Sequence, residues 1–274
     1  MSLIIAFANA AYIPVARNWL LALRAIGLED QARLVTLDEE TRAAFPPERV
    51  LHRPYAGDGL EGLWLHRVAV FRELLQGGTG FIHSDADAVW LADPRPHLAA
   101  CEAEAVFSQG TIWPPDVHDR LRLVLCCGFF SLAPSPRILS FIDQVAARIE
   151  ADQDDQAAVN RVVSAMIDSW QIDDPYDIAF RGKTFVASRA PIRAVPRAGR
   201  QDVPSIAVLP HHAFPRLVER LAPDMVVAHP VSGKTCDEKR VCLSGLGIWD
   251  ARSDPDPHSS AEPDREGGAG QGAA

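Results

Sequence analysis

A chain of 274 residues with 47% hydrophobic and 23% charged side chains is long enough to bury a full core. Its formal net charge of -9 argues against holding a polyanion by bulk electrostatics, so nucleic acid is not an expected partner. Five cysteines, Cys101, Cys126, Cys127, Cys236 and Cys242, include no CxxC pair in a chain too long to need disulfide staples, which fits a reducing, cytoplasmic setting.

The opening MSLIIAFANAAYIPVARNWL has no basic leader and its apolar run is broken by Asn9, Tyr12 and Pro14, so it reads as strand and loop rather than a signal peptide. No segment reaches the roughly 18 to 20 apolar residues that a bilayer crossing needs. LIIAFA (3–8) is a β-prone run, and NWLLALRAIGL (18–28) has helical spacing of Trp19, Leu20, Leu23 and Ile26 with a stop at Gly27. ARLVTLD (32–38) predicts a buried strand ending in an acid, and LWLHRVAVFRELLQGG (63–78) an amphipathic helix closed by paired glycines.

GFIH (80–83) is the next strand, and others are predicted at 103–109, 126–132, 206–210 and 225–230. Helices are predicted at 135–151 and 154–170, while 111–121 and the arginine-rich 179–202 read as surface loops. In the first of these, Trp113 is either partial core or a face for a sugar ring. The alternation of strands and helices implies a largely parallel, doubly wound sheet. The segment from about Ser253, SDPDPHSSAEPDREGGAGQGAA, lacks apolar periodicity. The folded domain is therefore placed at 1–250 and a disordered tail at 251–274.

In FIHSDADAVWLADP (81–94) two carboxylates, Asp85 and Asp87, leave one strand end together. Ligands of such sheets sit beyond the carboxyl ends of the strands, and hard divalent cations take oxygen donors of this kind, keeping positions open for phosphate. The plain alternative is a turn cap at Asp85 and a solvated Asp87.

HSDADAVWLADP resembles the DxD segment of GT-A-fold nucleotide-diphospho-sugar transferases, the family that includes plant cell-wall xylosyl- and arabinosyltransferases. FANAAYIPVARNWLLALRAIGL with ARLVTLDEET, GFFSLAPSP, DDQAAVN and AHPVSGK are similar to further family segments in the same order, over roughly 3–234. The resemblance implies a GT-A-type, Rossmann-like α/β fold, with a mostly parallel central sheet flanked by helices in a single domain. It implies a metal-dependent glycosyltransferase that uses Mn²⁺ or Mg²⁺ and moves a sugar, with retention, from a nucleoside diphosphate sugar, UDP-linked by preference. The acceptor, a glycan, a lipid-linked sugar or a small molecule, is not identified.

On this resemblance Asp85, Asp87 and His229 are the metal ligands, and Asp85 also serves the donor's ribose. Lys234 meets the leaving diphosphate, with Gly233 permitting close backbone approach. Ala8, Asn9, Asp38 and Arg67 lie along the donor, and Asp155 and Gln156 near the anomeric centre or acceptor hydroxyl. Against each stands a structural reading: a core-edge histidine at 229, a surface lysine at 234, a helix cap at Asp38, a solvated Arg67, and N-capping within DQDDQ (152–156). One departure is Cys126-Cys127 before Gly128-Phe129, where the family carries Asn and a small hydroxyl residue. The two thiols are expected to point to opposite faces and pack. Two competing functions remain: a non-catalytic nucleotide-sugar-binding protein, which that departure favours, and a metal-dependent nucleotidyl- or phosphotransferase, for which no GxxxxGK[ST] loop is present.

Overall fold

A computed structural model describes residues 3–57 and 59–254. The chain opens with β1 (Leu3–Ala8), α1 (Ile13–Ala25), β2 (Ala32–Thr36), α2 (Glu39–Ala43) and β3 (Val50–His52). Helix α3 (Leu60–Gln76) leads to β4 (Phe81–Ser84), the short β5 (Val89–Trp90), α4 (Arg95–Ala100), β6 (Ala105–Gln109), α5 (Pro115–Leu121) and β7 (Leu125–Leu132). Then come α6 (Pro136–Asp152), α7 (Asp155–Met166), β8 (Ile167–Gln171), β9 (Pro175–Phe180), β10 (Lys183–Ser188), β11 (Ile192–Pro196), β12 (Ile206–Val208), β13 (Val227–Ala228) and α8 (Cys236–Gly245).

A nine-stranded sheet has the order β3-β2-β1-β4-β7-β6-β12-β11-β8. Every strand in it runs the same way except β7 and β11. This is the mostly parallel, helix-flanked α/β architecture expected above. Side chains alternate across its faces as a period of two requires. Ile4, Ile82 and Phe129 join a core beneath α1 with Val15, Trp19 and Leu23, whereas Ile5, Phe81 and Phe130 face Phe71, Phe141, Ile142 and Val159 of α3, α6 and α7. Both faces are dry, so the strands read as unbroken apolar runs, each buried Ile or Phe being worth about 1.5–3 kcal/mol. Ser84 fixes the end of β4, its hydroxyl accepting from Trp19 Nε1 at 3.2 Å and Trp90 Nε1 at 3.0 Å.

Four expectations change. Within 111–121, read as a loop, Pro115–Leu121 forms helix α5, which starts at a proline in its first turn. The helix predicted to 170 ends at Met166, and Ile167–Gln171 becomes an edge strand. Arg120 and Arg197 donate to the Ser164 and Ile167 carbonyls, satisfying the groups that another helical turn would have used. The region 179–202, read as a loop, instead holds β10, which pairs with β9, and β11, which enters the main sheet. Its arginines conceal a period of two that buries Phe185, Ala187 and Ile192. Last, residues 251–253 form a 3₁₀ turn on α1 rather than the start of a tail. The Asp250 amide donates to Asn18 Oδ1 at 2.8 Å, Asn18 Nδ2 to the Ile248 carbonyl at 3.2 Å, and Ser253 is fully buried. The rest of the expected tail, 255–274, lies outside the described residues.

Asn18 thus ties the C-terminal segment to the first helix. Asn18→Ala is expected to lower stability by about 1–3 kcal/mol, because it strands a buried amide and a carbonyl. Urea unfolding read by tryptophan fluorescence checks this, and an unchanged midpoint would show that the segment docks without it.

Candidate functional site

The carboxyl ends of β1, β2, β4 and β6 collect at one sheet edge, where antiparallel β7 begins. Beyond β4 the chain turns through Asp85 and Asp87, and the Asp85 amide donates to the Gly128 carbonyl at 2.7 Å, stitching this acidic turn to β7. β5 then pairs antiparallel with β13, Val89 opposite Ala228 and Trp90 opposite Val227. That two-residue ribbon brings His229, far along the chain, against the acids. His229 Nε2 lies 3.5 Å from Asp87 Oδ1 and 3.8 Å from Asp85 Oδ2. Gly128 forms the floor: a Cβ there would run into the His229 ring and stand 2.6 Å from Asp85 Oδ2. Sequence order explains the glycine poorly; the histidine ring packed on it explains it well.

One ligand atom from each of Asp85, Asp87 and His229 lies within 4.8 Å of the others. Two carboxylates and an imidazole at this spacing fit a hard divalent cation with positions left for substrate oxygens. Asp87 is buried and ion-paired with Lys239 of α8, while Asp85 is partly open to solvent. Burial alone would raise the Asp87 carboxyl, but His229 and Lys239 hold it well below the carboxylate range. For Asp85 the cost of partial burial is likewise outweighed by the charges of Arg67 and His229, so it too is held low. Burial and the Arg216 guanidinium pull His229 down, yet Asp87 prevails and raises it to about 8.

A second layer lies behind the acids. Arg67 is buried on α3, with its guanidinium 5.0 Å from the Trp64 ring centroid and 5.5 Å from that of Phe7. It donates to His83 Nε2 at 2.7 Å and lies 3.5 Å from both Asp85 Oδ1 and Asp155 Oδ2. A guanidinium only donates, so His83 is a neutral acceptor, in keeping with a pKa pushed to about 4 by burial and by Arg67. Asp155 opens α7, and burial raises it to about 6 despite Arg67. Cys126 Sγ is 3.8 Å from His229 Nδ1, while Cys127 packs in the opposite core, as adjacent strand positions require.

The remaining expected residues separate. Asp38 acts both as the α2 cap, accepting from the Thr41 amide at 2.7 Å, and as a brace for the loop after β1, accepting from the Ala10 amide at 2.8 Å. Ala8 closes β1 and Asn9 is exposed beside it. Arg67 is inside the site rather than solvated. Gln156 donates to the Trp113 carbonyl at 3.0 Å, whereas Asp154 caps α7 through the Ala157 amide at 2.6 Å. Lys234 is exposed, and its carbonyl receives the Tyr12 hydroxyl. Gly233 makes room for Glu238, whose side chain a Cβ at that position would strike. The ammonium at the acids is that of Lys239, which the sequence reading missed. The available signal was TCDE (235–238), a capping box that begins α8 and puts Lys239 one turn along it.

The model of the family described as nucleotide-diphospho-sugar transferase matches residues 53–230. No curated protein sequence matches the chain. Solved structures similar to it include an active-site mutant of LgtC, at 9% identity, covering 85% of this chain and 88% of that one with a TM-score of 0.49. Mouse xyloside xylosyltransferase 1 in its apo form is 12% identical, covering 63% of this chain and 85% of that one, with a TM-score of 0.43. The glycosyltransferase GlyE of Streptococcus pneumoniae TIGR4 is 11% identical, with a TM-score of 0.41, and covers 59% of this chain, which spans 43% of that one.

Asp155 supplies a pH test. Its folded pKa, about 6, stands above the ordinary 3.8, so its contribution to stability is complete below about pH 4 and is lost as pH rises through 6. Asp155→Asn removes that loss. The variant is expected to gain on the wild type by on the order of 2 kcal/mol between pH 4 and pH 7.5. A constant difference across that range, measured by thermal unfolding, would place Asp155 in an ordinary solvated setting.

Proposed function

The chain belongs to the nucleotide-diphospho-sugar transferase family, and we propose that it transfers a sugar from a nucleoside diphosphate donor, UDP-linked by preference, with the acid cluster at the diphosphate. The observation that carries this reading is the meeting of Asp85, Asp87, His229 and Lys239 at the carboxyl edge of the sheet, within or just beyond the matched segment. Asp85, Asp87 and His229 would hold Mn²⁺ or Mg²⁺, which when bound supplies Lewis-acid stabilisation of the leaving diphosphate.

The protein's own groups do the rest. Lys239, anchored on Asp87 and one turn into α8, meets phosphate oxygens as charge gathers on them, the role that the resemblance gave to Lys234. Arg67 sets the spacing of Asp85 and Asp155 by contacting both. Asp155 faces the anomeric centre or orients the acceptor hydroxyl. The loop Ala8–Ala10, braced by Asp38, receives base and ribose, with Asp85 sharing the ribose hydroxyls. Retention of anomeric configuration is part of the proposal and rests on the family resemblance. The acceptor is a glycan, a lipid-linked sugar or a small molecule. A cytoplasmic setting is supported by five free cysteines; no described helix is long and apolar enough to cross a membrane.

Incubation with Mn²⁺ or Mg²⁺ and a panel of UDP-, GDP- and dTDP-sugars, measuring nucleoside diphosphate release, tests the reading. Slow metal-dependent release from one donor is expected, reduced roughly 100-fold or more by Asp87→Ala. Donor binding without turnover, even with acceptors, would instead favour the binding-only alternative. Lys239→Ala is expected to slow release by roughly 100-fold, and Lys234→Ala by much less. The opposite order would return the leaving-group role to Lys234.

A further inference from the structure

His229 is anchored through its backbone as well as its ring. Its amide donates to the Pro215 carbonyl at 3.3 Å, and its carbonyl accepts from Arg216 Nη1 at 2.9 Å. The ring rests where Gly128 has no side chain, and Nε2 faces the two acids. The other ring nitrogen, Nδ1, has one hydrogen-bond partner among the described residues, Cys126 Sγ at 3.8 Å. β7 is shaped for this contact. Its pairing with β6 passes from Phe107 opposite Phe130 to Ser108 opposite Cys126, so Cys127, Gly128 and Phe129 bulge out of that ladder. At the bulge the Gly128 amide donates to Cys126 Sγ at 3.4 Å. The sulfur, itself buried, therefore already accepts a bond from its own strand.

The direction of the Nδ1 contact decides what the ring can do. A thiol that donated to Nδ1 would leave the proton of a neutral ring on Nε2, aimed at Asp85 and Asp87 and closing that nitrogen to a cation. A sulfur that accepts instead holds the proton on Nδ1 and leaves the Nε2 lone pair facing the acids. A thiol is a weak donor and an imidazole N–H a strong one, and the Gly128 amide treats this sulfur as an acceptor, so the second arrangement is favoured. We propose that Cys126 is a positioning residue of the candidate metal centre, accepting the Nδ1–H of His229 and so fixing the tautomer that presents Nε2 to a divalent cation. Metal-binding imidazoles commonly give this second N–H to an oxygen; here a sulfur takes it. The cysteine at which the sequence departs from the family thereby has a role beyond packing. The proposal rests on the metal site of the transferase reading above.

The test is Mn²⁺ binding by the full chain without nucleotide, read from the electron paramagnetic resonance signal of unbound Mn²⁺, with Asp87→Ala as the site control and thermal unfolding as the stability control. Cys126→Ala and Cys126→Ser remove the same sulfur and differ by a hydroxyl that can accept. Cys126→Ala is expected to weaken Mn²⁺ binding roughly tenfold or more, and Cys126→Ser to stay within about threefold of the wild type. Nitrogen NMR of the His229 ring in the Mg²⁺-saturated wild type, which needs no variant, is expected to find the ring proton on Nδ1. Unchanged affinity in Cys126→Ala, or equal losses in the two variants, would reduce Cys126 to packing and leave the metal site standing. A ring proton on Nε2 would overturn the proposal and remove His229 from the ligands. No Mn²⁺ bound by the wild type, or binding that Asp87→Ala leaves unchanged, would overturn the metal site and the proposal with it.

Discussion

Two carboxylates one residue apart, one of them buried, are unstable unless positive charge is brought to them. Much of the architecture around the acidic turn follows from that requirement. β13 delivers His229, α8 delivers Lys239, and α3 delivers Arg67, each from a different part of the chain. One of these positive groups, Lys239, is also the one that the proposed function sets against a diphosphate, so in that reading folding and substrate recognition share an interaction.

The arrangement also sets Asp155 apart. Asp85 and Asp87 are held low by direct cationic neighbours, whereas Asp155, sharing Arg67 with Asp85 and set deep in the site, is raised to about 6. Carboxyls pushed in opposite directions within one site are a mark of divided chemical labour. The Cys126-Cys127 departure falls into the same geometry. Cys126 lies beside the far nitrogen of His229, where a weakly polar thiol borders the ring without competing for the acids.

Legibility varied with distance along the chain. Alternation of Ile4, Ile5 and Ala6, or of Phe81 and Ile82, is local, and it predicted strands whose two faces are both buried. Asp85 and Asp87 were legible because their placement depends only on where β4 stops. Lys239 was not, since its approach to Asp87 depends on the β5–β13 pairing and on where α8 begins. β10 and β11 were masked because arginines on their exposed faces outweighed the short apolar alternation beneath.

What the sequence determined by itself was the set of buried faces, the strand-end position of the acids and, through ordered motifs, the family. Tertiary structure decided which cation answers which acid, that Asp38 braces a loop while capping α2, that Gln156 turns to Trp113, and that residues 250–253 dock on Asn18. The reason is physical. Periodicity and helix signals act over a few residues and survive in one dimension, but neutralising a buried charge or closing a loop depends on contacts between segments more than 100 positions apart, which only the packed sheet brings together.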